Sequence, residues 1–213
     1  MPDTEKPPAR RTQADRARAT RERILKAAHD TLMARGYAGA STWAVCETGG
    51  FSKGTLLHHF RQRTDLFGAL IVDLGLRSLA SLDAAMLTAA PGQKIDVFLG
   101  WLWSTLEGDF FVVGLEVLTA ARTEPELGEA IRQGADELSR LLDAFIGSAL
   151  EDVPAGSADL VRSALQTSVH LVRGIGLDLS IGGDLSAHRA RFDTWSHTVR
   201  VLASGSLAPP HER

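Results

Sequence analysis

Ser52, Lys53, Thr55 and His58 are the residues whose types and spacing can act on a partner, and their chemistry is hydrogen bonding and charge pairing rather than bond breaking. They lie in the stretch Ser41 to Phe60, STWAVCETGGFSKGTLLHHF. Val45 and Cys46 in its first half, and Leu56 and Phe60 in its second, are apolar at helical spacing. Gly49-Gly50 between them stops the first helix, because glycine enters the left-handed conformation of a helix end at little steric cost. Phe51 fills the corner, and the Ser52 hydroxyl is suited to accept from an orphan N–H at the start of the second helix. The spacing predicts two short helices, Thr42 to Thr48 and Ser52 to Phe60, joined by a tight turn. Such a second helix fits the major groove of DNA, where small polar side chains near its N-terminus reach base edges. In this reading Lys53 meets a phosphate or a guanine, and Thr55 a phosphate or a thymine methyl. His58 donates to a phosphate, and Gly54 lets the backbone come close to the groove floor. His59 is divided between that surface and packing against a neighbouring helix.

No other constellation points to catalysis. There is no Gly-x-Ser-x-Gly elbow and no phosphate loop, and Gly174-Ile175-Gly176 reads as a place where helices approach closely. His170, His188 and His197 lack metal-ligand spacing and read as surface or satisfied core residues. Cys46 is the single cysteine, so it forms no internal disulfide and no metal set; it reads as a small buried apolar residue. Neither catalytic residues, metal nor cofactor are therefore expected. Of 213 residues, 44% are apolar, enough for a core, and no apolar run approaches the roughly 18 residues of a membrane span. The polar, basic, proline-bearing N-terminus lacks the apolar stretch of a signal peptide, so the expected location is cytoplasmic, with no membrane partner. The charge is uneven: residues 1–63 carry 12 Lys and Arg against 6 Asp and Glu, and residues 64–213 carry 11 against 20. A basic head on an acidic body turns the head toward a polyanion.

The elements that must position the reading helix follow in order. Residues 1–15 read as a flexible basic arm, and Arg10 and Arg11 within it, with Arg16 and Arg18 just after it, are available to DNA or simply solvated. A helix from about Ala17 to Arg35 carries Ile24, Leu25, Ala28, Leu32 and Met33 as a core stripe, and Gly36 ends it above Tyr37. After the reading helix, about Asp65 to Leu87 forms a long helix that Ala90-Pro91-Gly92 breaks. Gln93 to Glu107 and Asp109 to Ala121 are apolar on most sides. Thr123-Glu124-Pro125-Glu126 reads as a capping box opening a helix to about Leu150. Ser157 to Ile181 and Ser186 to Ala203 complete the set. The expected fold is all-α with about nine helices. Its domains are the arm 1–15, a three-helix helix-turn-helix domain 16–63, a larger helical domain 64–204 and a tail 205–213.

Four segments, TRERILKAA (Thr20 to Ala28), RGYAGAS (Arg35 to Ser41), GGFSKGTLLHHF and RTDLFGAL (Arg63 to Leu70), follow one another in the order of a known family. From Thr20 to Leu70 the chain resembles the TetR-type transcriptional repressors. The resemblance implies a homodimer on a palindromic operator in double-stranded DNA, released when a small-molecule effector enters the C-terminal domain. It implies DNA contacts from Thr42 and Trp43 at the start of the first short helix, beside Ser52, Lys53, Gly54, Thr55 and His58. Leu57 stands where the family has a tyrosine, which removes a phosphate contact and leaves Leu57 a thymine methyl to touch. Arg63 stands for a lysine that grips the backbone. For the effector the resemblance implies a pocket between the aromatic-rich helices, with Phe98, Trp101, Leu102, Phe110, Phe111 and Leu115 as its lining. Glu116, Arg122, His170 and Arg173 are its polar candidates, and neither sign of ligand charge is favoured. The same aromatics equally suit a plain core. The last two helices are implied as the dimer interface, through Leu160, Ala164, Leu165, Ser168, Leu171, Val172, Ile175, Phe192, Trp195, Val199 and Leu202. The competing reading is a small-molecule carrier or enzyme on the helical body with a vestigial head. It would need a catalytic constellation, and the sequence offers none.

Overall fold

The computed structural model describes residues 12–206. Among them the regular structure is helical throughout: α1 (Gln13–Gly39), α2 (Thr42–Gly49), α3 (Lys53–His59), α4 (Arg63–Thr88), α5 (Lys94–Ser104), α6 (Asp109–Ala121), α7 (Pro125–Ala149), α8 (Ala155–Ser180) and α9 (Leu185–Ala203). Arg10 and Arg11 of the expected arm, and most of the expected tail, lie outside the described residues. The chain divides into two compact units, Met1–Leu66 and Phe67–Arg213.

In the first unit, α1 begins four residues before its expected start. Thr12 accepts from the Asp15 N–H at 3.1 Å while the Asp15 carboxylate accepts from the Thr12 N–H at 3.0 Å, a reciprocal pair that satisfies two orphan donors. The Thr12 hydroxyl, which donates to the Asp15 carboxylate at 2.7 Å, and then the N–H bond hold the Asp15 carboxyl below the usual carboxylate range. Ile24, Leu25, Ala28 and Leu32 are buried as the stripe predicts. Met33 is not: it is 40% exposed, because the stripe runs through Ala27, Thr31 and Leu32 and the next residue rotates off it. Thr31 is buried in its place. Its hydroxyl donates to the Ala27 carbonyl at 2.6 Å and is hydrogen-bonded with the Thr48 hydroxyl at 3.0 Å, which joins α1 to α2. Gly36, at φ 64°, interrupts the helix geometry of α1 and brings Tyr37 into the core.

In the second unit, Phe98, Leu99, Leu102 and Trp103 of α5 pack with Val161, Leu165 and Val172 of α8 and Phe192 and Val199 of α9. Burying each such large side chain contributes about 1.5–3 kcal/mol. The Trp103 and Phe192 rings lie 5.2 Å apart, and the Trp195 indole N–H donates to the Ser168 hydroxyl at 2.8 Å. Glycines set the helix spacing. A Cβ on Gly68 would fall 2.7 Å from the Ala130 Cβ, and one on Gly134 would fall 2.5 Å from Val72, so α4 and α7 touch nearly backbone to backbone. The Gly174-Ile175-Gly176 segment divides: Gly176 faces the Phe111 ring with no room for a Cβ, while Gly174 faces open space.

The expected capping box at Thr123 does not form. Glu124 is the residue before α7 and makes no side-chain cap, although Pro125 opens the helix as predicted. The Thr123 hydroxyl donates instead to the Ala120 carbonyl at the end of α6, at 3.2 Å. The cap that does form in this unit is Asp184, which accepts from the Ser186 and Ala187 N–H groups at 2.8 and 3.1 Å and opens α9.

Candidate functional site

The turn between α2 and α3 is closed by two glycines with different tasks. Gly50 is left-handed, at φ 62° and ψ 39°; its N–H donates to the Glu47 carbonyl at 3.3 Å, and the Phe51 N–H to the Cys46 carbonyl at 3.2 Å. This pair of bonds satisfies the last carbonyls of α2. Gly49 is required for space, since a Cβ there would fall 2.0 Å from the Phe51 ring. At the other side of the turn Ser52 accepts from the Thr55 N–H at 3.1 Å, and the two hydroxyls lie 2.9 Å apart. Arg21 of α1 lies over the Phe60 ring at 5.2 Å and Arg23 over Phe51 at 5.6 Å, so both ends of the motif are covered by α1. Leu56 is fully buried beneath α3, which fixes the rotation of that helix.

That rotation leaves Lys53, Gly54, Leu57 and His58 exposed along α3, with Thr55 half-buried between them. Leu57 is 41% exposed and Trp43 is 68% exposed at the first turn of α2, where Thr42 is half-buried. Ser52 is also exposed, yet its hydroxyl is committed to the cap. Arg63 is engaged within the unit. Its guanidinium donates to the Ala40 carbonyl at 3.0 Å and to the Tyr37 carbonyl, and lies 3.8 Å over the Tyr37 ring. These donors hold the connection between α1 and α2, an internal task that the sequence did not suggest for Arg63. His59 is half-buried; desolvation first, then the neighbouring His58 and Arg21, push its imidazole pKa down and favour the neutral ring. Burial pushes the Cys46 thiol up, keeping it protonated and inert.

Within the second unit the helices enclose a cavity of about 520 Å³, a size suited to a drug-sized ligand. Trp101, Leu102, Phe110, Phe111, Leu115, Arg122 and Arg173, all expected at a pocket, line it together. Phe98, Glu116 and His170 do not. Phe98 is fully buried behind Trp101, ring centroids 5.8 Å apart, while Glu116 and His170 are exposed. The Trp101 indole N–H donates to the Ser78 carbonyl at 2.9 Å, which fixes the ring against the wall. Sequence reasoning missed the contributions of α4 (Ile71, Gly75, Ser78, Leu79) and α7 (Leu138, Ser139, Leu142). Apolar residues at helical spacing look alike whether they face a core or a void.

The residues implied at a dimer interface need correction. Ala164, Leu165, Ser168, Val172, Ile175, Phe192 and Val199 are buried in the single chain's own core and have no surface left to offer. Leu171, Trp195 and Leu202 are half-buried, and Leu160 is 40% exposed. The exposed apolar side chains at the C-terminal end of α8 and the start of α9 are Leu177, Ile181 and Leu185. Among the described residues no group of His, Cys, Asp and Glu is placed to hold a metal. His188 lies 2.6 Å from the Asp178 carboxylate. No helix of the described residues is long and apolar enough to cross a membrane.

A helix-turn-helix unit and a helical unit with a cavity of its own, in one chain, define a class, the helix-turn-helix transcriptional regulators. Residues 24–70 match the bacterial regulatory proteins of the tetR family. The chain is 28% identical to the HTH-type transcriptional repressor AcnR of Corynebacterium diphtheriae over 192 residues, covering 84% of this chain and 91% of that one. It is 30% identical to the repressor of the same name from Corynebacterium glutamicum over 153 residues, 66% of this chain and 74% of that one. The crystal structure of a TetR-family regulator from Mesorhizobium loti shares the fold at a TM-score of 0.69, with 16% identity, over 89% of this chain and 98% of that one. The chain belongs to the TetR family of transcriptional regulators.

Proposed function

We propose that this protein is a ligand-responsive repressor: a homodimer that occupies a palindromic operator until a small molecule enters the cavity of the body. The observation that carries the reading is the pairing of a displayed α3 surface with a cavity of about 520 Å³ among α4 to α8. Residues 16–63 form the reading head and residues 64–204 the effector and dimer region, at work in the cytoplasm and without catalytic activity. Lys53, Thr55, Leu57 and His58 touch the groove, Gly54 allows close approach, and Thr42 and Trp43 flank a phosphate at the start of α2. Two subunits pair through the outer faces of α8 and α9, where Leu160 and Leu171 remain accessible. A twofold dimer then reads half-sites about 34–36 Å apart.

The effector acts only through its differential affinity for the two forms, typically about 1–3 kcal/mol of coupling. The test is selection of bound duplexes from random sequence with the purified chain, followed by a gel shift at moderate salt. A palindromic consensus bound by a dimer supports the reading. A hold on DNA indifferent to sequence, or a monomer in light scattering, overturns it.

A further inference from the structure

The cationic side chains of the second unit differ in whether a carboxylate meets them. Arg77, Lys94, Arg132, Arg140, Arg189 and Arg200 each lie within ion-pair distance of a carboxylate. The side chains of Arg122, Arg162, Arg173 and Arg191 make no ion pair or hydrogen bond among the described residues, and of these Arg122 and Arg173 line the cavity. Both are also exposed, which places them at its opening, together with Thr119 and Ser139. The floor is the reverse: Ile71, Leu79, Leu102, Gly114 and Val172 are buried and apolar. No Asp or Glu lines the cavity. Residues 67–213 carry 19 acids against 11 cations, so a lining with two arginines and no acid inverts the charge of its own unit.

An apolar floor beneath two uncompensated guanidinium groups selects the occupant by charge. A ligand whose body strips water from those groups without replacing it leaves N–H donors unmet, which is costly. A cation meets two like charges. A carboxylate accepts parallel N–H bonds from a planar guanidinium, in the geometry arginine is built to give. We infer that the cavity takes an amphipathic monoanion, its apolar body on the floor and its carboxylate held at the mouth by Arg122 and Arg173. The inference rests on the reading above in taking this cavity as the effector site.

The test is titration of the full chain at neutral pH with dodecanoate, 1-dodecanol and dodecyltrimethylammonium below their micelle concentrations. Calorimetry and tryptophan fluorescence follow binding, since Trp101 is part of the wall. Dodecanoate is expected to bind at least about tenfold more tightly than either analogue, the ratio that one charge-assisted bond supplies. The Arg122→Gln, Arg173→Gln double variant, altered only in exposed side chains, is expected to lose that preference and keep its affinity for 1-dodecanol. Equal or tighter binding of the alcohol or the ammonium overturns the inference, as does unchanged dodecanoate affinity in the double variant or binding of none of the three. A parallel gel shift separates the two readings. If the alcohol or ammonium binds and releases the operator, the anion inference falls while ligand response stands. If dodecanoate binds as expected and the operator complex persists, ligand response falls and the anion site stands.

Discussion

The first and second units put the same helical elements to opposite uses. In the first, Leu56 of α3 is driven fully inward so that Lys53, Leu57 and His58 come outward, and the site is a surface whose residues stand within a single turn of sequence or two. In the second, residues from five helices are held slightly apart, and the site is a space that none of those helices contains by itself. A displayed site is bounded by its own segment, whereas an enclosed one is bounded by the packing of distant segments. Perturbing either unit should therefore spare the other's local chemistry, and that contrast can be tested.

The largest effect should come from the head's core. Leu56→Ala should cost about 2–5 kcal/mol, the usual penalty for emptying a buried leucine site. Its mark would be a separate, earlier unfolding step in calorimetry and loss of DNA binding, with dodecanoate binding in the body retained. Loss of both activities together would break the contrast.

Next is Lys53→Ala, which also decides what Lys53 meets. On a guanine it should cost about 1–3 kcal/mol and relax one operator position; on a phosphate it should weaken all sequences alike and lower the salt slope by about 1. Affinity measured on wild-type and point-changed operators across a salt series separates the two, and an unchanged variant would remove Lys53 from the interface.

In the body, Gly114 offers the reciprocal experiment. A Cβ there meets only the Ile71 side chain, at 3.8 Å, so the helix accepts it. Gly114→Ala should stabilise α6 by about 1 kcal/mol through helix propensity. Gly114→Leu should in addition fill the cavity and abolish ligand binding while leaving the gel shift intact. A destabilised Ala variant in thermal melts would show that the wall has no room.

The smallest effect is a pH dependence of the head through His59. Its folded pKa lies below the ordinary 6.5, so the folded state binds fewer protons than the unfolded chain. Its contribution to stability is present above 6.5 and lost as pH falls through the depressed value. Denaturation curves from pH 7.5 to about 5 should show that loss, and His59→Gln should flatten it. A variant with the same slope as the wild type would assign the dependence to other groups.

The legibility of the two sites follows the same contrast. Ser52 and Gly50 were readable as caps because capping is a local bargain between a side chain and the nearest backbone groups. The Thr123 box failed because its hydroxyl had a second local partner, the end of α6, which a pattern of four residues does not include. Met33 failed because a stripe read one residue too wide crosses onto the solvent face. The internal task of Arg63 was unreadable for a tertiary reason: the carbonyls it satisfies, at Tyr37 and Ala40, lie more than twenty positions earlier. Seven residues offered to a partner subunit proved to be the chain's own core, since apolar periodicity states that a face will be buried and not by which chain.

By itself the amino-acid sequence determined the all-helical class, the helix-turn-helix with its caps, and the polar types along α3. Each depends on neighbours within a few residues, and spacing records such neighbours faithfully. Only the tertiary structure decided that Arg63 bonds the Tyr37 and Ala40 carbonyls, that Ile71, Leu138 and Val172 surround one cavity, and that Arg122 and Arg173 both line it with no Asp or Glu in the lining. Those outcomes depend on which helices touch and how closely, and the closeness was set by glycines at Gly68, Gly134 and Gly176, whose partners the linear order does not reveal.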